Sequence, residues 1–161
     1  MLQKGVVMDS HSAVKGPALD SWSLWVCLNK QETLSRGWPS INWEVAEITQ
    51  QPNRQDAVAL WLLLHRDERM AYRFNLSAEE PRLFVVCEDI TPEERVPRKL
   101  TLAQDVAADY MDAGQPVHSV PMPAAIKVWL EHFMSHHGEV EDPRAGKRRL
   151  RTQAAKGASH E

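Results

Sequence analysis

The stretch PAAIKVWLEHFMSHHG, residues 123–138, decides the fold that we predict for this chain. Large apolar side chains recur in it at positions i, i+3, i+4, i+7 and i+8, which lie on one face of an α-helix. They are Ile126, Trp129, Leu130, Phe133 and Met134. Pro123 suits the first turn of a helix, and Gly138 suits its end. We therefore predict an amphipathic helix whose apolar face packs on a sheet.

The sequence before this helix is rich in runs that are typical of β-strands. Apolar residues dominate residues 22–28, 57–65 and 82–88. In residues 41–49 the alternation of apolar and polar side chains changes phase. Trp43 and Val45 share one face, and Ala46 and Ile48 follow one position out of step. Such a slip predicts a β-bulge within this strand.

Residues 69–76 show the cleanest alternation in the chain. Apolar side chains occupy the even positions from Met70 to Leu76, and polar ones such as Arg73 and Asn75 lie between them. This period of two predicts a strand that forms a hairpin with residues 57–65 across the charged turn at 66–68. Two prolines and several charges predict a loop over residues 91–98.

A second helix is predicted over residues 102–113. Thr101 and Gln104 have the spacing of a capping box, in which each side chain bonds a free amide at the start of the helix. Gly114 stands where a helix-ending glycine belongs. Together these elements predict one α+β domain over residues 21–138. It has a mostly antiparallel, twisted sheet of about five strands, able to curl into a partly open barrel, and two C-terminal helices.

The two ends of the chain differ from this domain. Residues 1–20 lack periodicity and predict a flexible leader, and residues 139–161 predict a disordered basic tail. From Pro143 onward there are six Lys/Arg and one Glu, a net charge of +5, whereas the rest of the chain has 13 basic and 21 acidic residues, a net charge of −8. The tail is therefore predicted to bind a protein partner electrostatically. The residues predicted to do so are Arg144, Lys147, Arg148, Arg149 and Arg151.

The composition also bounds the compartment and the class of partner. Cys27 and Cys87 lie in apolar runs, and two buried thiols suit a reducing cytoplasm, with a bridge between neighbouring strands as the alternative. No run approaches the roughly 20 apolar residues of a membrane helix. The acidic body and the missing helix-turn-helix, RNA-stacking and zinc signatures argue against sequence-specific nucleic-acid binding. We expect a cytoplasmic protein without a membrane span.

A metal site is weakly indicated on the C-terminal helix. His132 and His136 stand four residues apart, a spacing at which two imidazoles can share a metal ion. A zinc site needs a third or fourth ligand, which the sequence does not supply at a recognisable spacing. Exposed histidines also suit the C-terminal end of a helix dipole. We therefore favour a solvated helix face over a metal site.

The sequence contains no recognisable catalytic motif. It has neither a Gly-x-Ser-x-Gly elbow nor a glycine-rich phosphate loop, and we predict no catalytic residue and no cofactor. Arg73, Asn75 and Tyr110 are possible ligand-binding residues, because an arginine can hold a carboxylate or phosphate bidentately. An enzyme with an unfamiliar site around Arg73, Asp109 and Tyr110 stays open as an alternative.

Three segments together resemble one protein family. They are YRFNLS at residues 72–77, PRLFVV at 81–86, and DYMDAG at 109–114, which leads to VPMP at 120–123. In this order they are similar to an uncharacterised proteobacterial family, the domain of unknown function numbered 3305. The resemblance implies that relatives are often encoded beside genes for molybdenum-dependent formate dehydrogenase and its accessory factors. It implies no site residues.

These observations favour a non-catalytic accessory or adaptor protein that binds another protein. The resemblance implies that the partner belongs to the maturation or assembly of a molybdenum-dependent formate dehydrogenase. The alternative is a small-ligand- or metal-binding module of the same system.

Overall fold

A computed structural model describes residues 17–138, which contain six β-strands and three α-helices. In chain order the elements are β1 Ser21–Ser35, β2 Trp38–Thr49, β3 Val58–Leu63, α1 Arg69–Leu76, β4 Arg82–Thr91, β5 Glu94–Thr101, α2 Gln104–Asp112, β6 Val117–Pro121 and α3 Ala124–His137. None of the three helices in this part of the chain is long and apolar enough to cross a bilayer. The predicted tail and residues 1–16 of the predicted leader lie outside the described residues.

The strands form one mixed sheet in the order β2-β1-β3-β5-β4-β6. Neighbours are antiparallel except β3 and β5, which run parallel and pair at Leu62 and Leu100. The edge strands β2 and β6 approach each other, so the sheet is a partly open, nearly closed barrel. The predicted α+β class and the curled sheet are confirmed. The sheet has six strands instead of the predicted five or so, and one pair of strands is parallel. The number of α-helices is three instead of two.

The hairpin of β1 and β2 contains the predicted bulge. Cys27 pairs with Glu47 and Leu28 with Val45, which leaves Ala46 as the extra residue on β2. The hairpin closes through the two-residue turn Arg36-Gly37, where both residues have positive φ, 51° and 80°. This geometry is that of a type I′ turn, whose twist matches that of the flanking strands.

The prediction of a strand over residues 69–76 is wrong, because this segment is the helix α1. The alternation would place Tyr72 and Phe74 on one buried face, but Tyr72 is fully buried and Phe74 is 66% exposed. Residues two apart point in nearly opposite directions on a helix, at about 100° per residue. The buried pair Tyr72 and Asn75 has the helical spacing i, i+3 instead.

The prediction of a loop over residues 91–98 is also wrong, because β5 begins at Glu94. Pro92 and Glu93 form a two-residue turn between β4 and β5. Pro97 lies opposite Cys87, beside a shift in the register of this pair. A proline is tolerated at such an irregularity because no regular ladder bond is lost there.

The helix α2 ends as predicted and begins differently. Gly114 has φ of 85° and donates its N–H to the carbonyl of Met111, while Gln115 donates to Tyr110. This pair of bonds is a Schellman motif. The predicted capping box is wrong: the helix starts two residues later than its spacing requires, with Ala103 as the N-cap, and Thr101 Oγ1 accepts the N–H of Ala103.

The helix α3 covers the interior of the curled sheet, as predicted. All five residues of its apolar stripe are buried. Trp129 packs edge-on against Trp22 of β1, with ring centroids 5.4 Å apart. Its Nε1–H donates to the carbonyl of Ala18 at 2.7 Å. A residue of the predicted leader is thus bonded to the helix that completes the core.

Candidate functional site

An apolar groove lies between α1 and α2, and we call it the helical groove. Its volume is about 640 Å³. The residues that line it are Asp67, Glu68, Met70, Ala71 and Phe74 from the α1 side and Gln104, Asp105 and Ala108 from the α2 side. Its floor is therefore apolar, and its rim carries three carboxylates.

The two largest apolar side chains of the groove are open to solvent. Phe74 is 66% exposed and Met70 is 49% exposed. They stand four residues apart on α1 and form a continuous stripe. Met111, three residues beyond Ala108 on α2, is also exposed and extends the apolar surface. An exposed apolar patch with a polar rim is the usual mark of a protein-binding surface.

The helix α1 is held in place by bonds to the rest of the domain. Asn75 is buried and bonds the backbone of Arg82 and Leu102. The hydroxyl of Tyr72 accepts the N–H of His65 at 3.0 Å and donates to Glu68 at 2.6 Å. These bonds fix which face of α1 is turned to solvent, and so they present the groove as a rigid surface.

Arg69 ties α1 to the C-terminal end of α3. Its Nη1 donates to the carbonyls of His137 at 2.6 Å and Gly138 at 2.9 Å, and its Nε donates to the carbonyl of Arg66. The last carbonyls of a helix carry partial negative charge, so a guanidinium there is favourable. Arg69 thus places a positive charge at the same helix end that carries the exposed histidines.

A second, smaller cleft of about 360 Å³ follows the parallel junction of β3 and β5. Trp61 and Leu63 supply apolar wall, and Arg98 and Lys99 supply positive charge. Lys99 Nζ lies 5.5 Å from the ring centroid of Tyr110. The predicted ligand residue Tyr110 therefore neighbours this cleft.

Charged and aromatic side chains join the strands where the barrel is open, and we call this cluster the polar seam. Arg95 of β5 bonds both carboxylate oxygens of Asp89 on β4, at 2.7 and 3.1 Å. Its Nη1 lies 3.2 Å from Nε2 of His118 on β6, and its guanidinium lies 5.8 Å from the ring of Trp43 on β2. Because Asp89 neutralises Arg95, the seam is suited to joining strands rather than to holding an anion.

Acid is expected to weaken the protein through His118. Burial and then the Arg95 guanidinium lower the pKa of His118 from its ordinary value of 6.5. The unfolded chain therefore binds more protons than the folded one as the pH falls through about 6.5, and the free energy of unfolding decreases. Denaturant unfolding between about pH 8 and pH 5 measures this slope. His118→Gln should make it shallower, and an unchanged slope would assign the effect to other groups.

The three possible ligand residues lie in different environments. Arg73 is exposed on α1. Asn75, on the same helix, is buried, and its amide is bonded to backbone. Tyr110 on α2 faces Lys99. A ligand-binding role for these residues stays a prediction.

The histidines of α3 lie at the exposed end of the helix. The rings of His136 and His137 pack edge-on with centroids 4.9 Å apart. Partial burial and then the charge of Arg66 lower the pKa of His137. Within residues 17–138, no group of three or more His, Cys, Asp or Glu side chains is arranged to hold a metal ion. The pair His132 and His136 therefore has no third ligand in this part of the chain.

Both cysteines are buried, free thiols. Cys27 lies on β1 and Cys87 on β4, and these strands are separated by β3 and β5, so the alternative of a bridge between neighbouring strands is wrong. Burial raises the pKa of Cys87 to about 11 and also raises the pKa of Cys27. Such thiols stay protonated near neutrality and act as packing groups.

The sequence interpretation missed the helical groove entirely. In a strand, Met70 and Phe74 would share the buried face with Tyr72, so neither would be a candidate for a surface site. The spacing of Tyr72, Asn75 and Leu76 was the signal that could have revealed the helix. The predicted partner-binding residues, from Arg144 to Arg151, lie outside the described residues and stay a prediction.

Comparison with known proteins gives a family and no function. No curated protein and no solved structure is significantly similar to this chain. The model of a family described as "protein of unknown function (DUF3305)" matches residues 3–149. This match includes the whole of the barrel, the three helices and the basic run that follows them as far as Arg149. The chain therefore belongs to the DUF3305 family, as the resemblance implied.

Proposed function

We propose that this protein is a non-catalytic adaptor that binds another protein through the helical groove. On the resemblance stated above, the proposal extends to a partner in the maturation or assembly of a molybdenum-dependent formate dehydrogenase. The observation that carries the proposal is the exposure of Phe74 and Met70 side by side on a helix that is otherwise firmly packed.

The exposure of these side chains supports a binding role over a purely structural one. A helix that serves only to cover the core needs apolar residues on one face, and Tyr72 and Leu76 already provide them on α1. Phe74 lies on the opposite face, where a polar residue would be equally compatible with folding. Large aromatic side chains in a groove are typical anchors of protein interfaces.

The groove also indicates the chemistry of the partner segment. Two apolar anchors at the spacing i, i+4 fit the apolar stripe of an amphipathic helix. Asp67, Glu68 and Asp105 on the rim favour lysine or arginine beside that stripe. We therefore propose an amphipathic, basic segment of the partner as the occupant.

Replacing Phe74 with aspartate should strongly weaken partner capture. A charge in the centre of the interface removes the anchor and leaves a desolvated carboxylate, so we expect a loss of about tenfold or more in affinity. The measurement is affinity purification from the native host with mass spectrometry, followed by titration of the purified partner that the wild-type chain captures.

Val128→Asp is the matched control for this experiment. Val128 is 65% exposed, nearly the same as Phe74, and lies on the solvent side of α3, away from the groove. The control variant should bind like the wild type. Equal binding by Phe74→Asp and Val128→Asp, or equal loss in both, would exclude the groove as the docking surface. If no captured protein is related to formate dehydrogenase, the proposed role in formate dehydrogenase maturation or assembly is wrong.

A further inference from the structure

The described part of the chain ends beside the helical groove. Arg69 holds the carbonyls of His137 and Gly138 against the start of α1. Its neighbours in sequence, Glu68 and Met70, line the groove. The residues that follow Gly138 thus leave the domain at one end of the groove.

The charges of the groove and of the following segment are complementary. Among the described residues that line the groove, three are acidic and none is basic. The α2 side contributes Asp105, and Asp109 and Asp112 continue the acidic row along that helix. Residues 144–151 read RAGKRRLR and contain five basic residues and no acidic one. At close range such opposite charges attract, and salt screens the attraction.

The segment also has the length and the anchor that docking requires. Leu150 stands within the basic run, twelve positions after Gly138. An extended chain covers at most about 3.5 Å per residue, so Leu150 can reach about 40 Å from the end of α3. The nine residues of α2 span only about 14 Å. Leu150 can therefore reach Phe74 and Met70 with chain to spare.

We propose that residues 144–151 dock in the helical groove of their own chain, with Leu150 on the apolar floor and the basic side chains on the carboxylate rim. The segment then has the same chemistry as the partner segment inferred above. The regulatory consequence, which rests on the proposed function, is that a partner competes with the segment for the groove. Tethering gives the segment a millimolar effective concentration, so a contact with a Kd of about 1 mM is about half formed.

Paramagnetic relaxation in the full-length chain tests this docking. A nitroxide is attached at Ala154→Cys, since the native thiols are buried. Amide signals of Met70, Phe74 and Ala108 should lose well over half of their intensity, because a weak contact exchanges fast and the strong relaxation of the docked state is averaged over the whole population. The amide of Val128 should be unaffected. The loss should disappear in high salt and in a variant that combines Lys147→Glu, Arg148→Glu and Arg149→Glu.

Three outcomes would overturn the docking. They are no broadening in the groove, equal broadening at Val128, and broadening that appears only when spin-labelled chains are mixed with separate isotope-labelled ones, which would make the occupant a second copy. The proposed function is judged independently. If docking is absent but Phe74→Asp still loses the partner, only the self-docking fails. If docking is present but Phe74→Asp captures the partner normally, only the adaptor proposal fails.

Discussion

Replacing Asn75 with alanine is expected to lower the free energy of unfolding by about 3 kcal/mol, because it leaves buried backbone groups without partners at about 1–3 kcal/mol each. Asn75 is 4% exposed. Its Nδ2 donates to the carbonyls of Arg82 and Leu102, both at 2.8 Å, and its Oδ1 accepts the N–H of Arg82 at 2.9 Å. One side chain thus connects α1 to the start of β4 and to the segment after β5. Denaturant unfolding monitored by tryptophan fluorescence measures the loss.

Asn75→Asp separates hydrogen bonding from packing at this position. Aspartate keeps the shape of asparagine and can still accept from Arg82, but it places a carboxylate oxygen opposite two carbonyl oxygens. We expect it to be at least as destabilising as alanine near pH 7, because a buried charge without a donor is costly. Wild-type stability in both variants would contradict the structural role of the hydrogen bonds that Asn75 makes to the backbone, and would favour its role as a ligand residue.

Phe133→Ala is expected to cost about 3–5 kcal/mol, the range for removal of a buried aromatic ring. Phe133 is 1% exposed. Its ring packs edge-on against Tyr72, at 6.1 Å between centroids, and against His137, at 4.5 Å. The cavity would open between α1 and α3, so both helices lose contacts at once. A loss of this size approaches the whole stability of many small domains.

Phe74→Ala provides the matched comparison for Phe133→Ala. The same side chain is deleted, but Phe74 is mostly exposed, so we expect a change within about 0.5 kcal/mol. The contrast also tests the structure of residues 69–76. In a strand with Tyr72 and Phe74 on one buried face, both phenylalanine deletions would be severe. Similar losses in the two variants would therefore contradict the helix α1.

Local patterns predicted the elements that carry a strong signal over several turns or a long strand. The fourteen residues of α3 repeat their apolar stripe across four turns. The phase change at Ala46 in β2 marked a bulge because one face of that strand packs on the core. Gly114 marked the end of α2 because its positive φ suits glycine.

Short segments were assigned wrongly where two local patterns compete. The eight residues of α1 fit both a period of two and a helical spacing, and its packing under α3 selects the helix. In β5, prolines suggested a loop, but Pro97 lies at a register irregularity where the sheet tolerates it. Pairing with β4 across the turn at Pro92 outweighs the local preference. In both cases the deciding contacts join residues that are distant in sequence.

By itself, the sequence determined that this chain forms a mostly antiparallel sheet covered by a long amphipathic helix, with an acidic body and a basic segment after it. Those properties follow from hydrophobic periodicity and from charge, which are local properties of each segment and do not depend on tertiary contacts. Only the tertiary structure decided that β3 and β5 run parallel, that the buried side chain of Asn75 joins separate backbone segments by hydrogen bonds, and that Phe74 faces solvent beside an acidic rim. A groove between two helices exists only once distant segments pack together, so no local pattern encodes it.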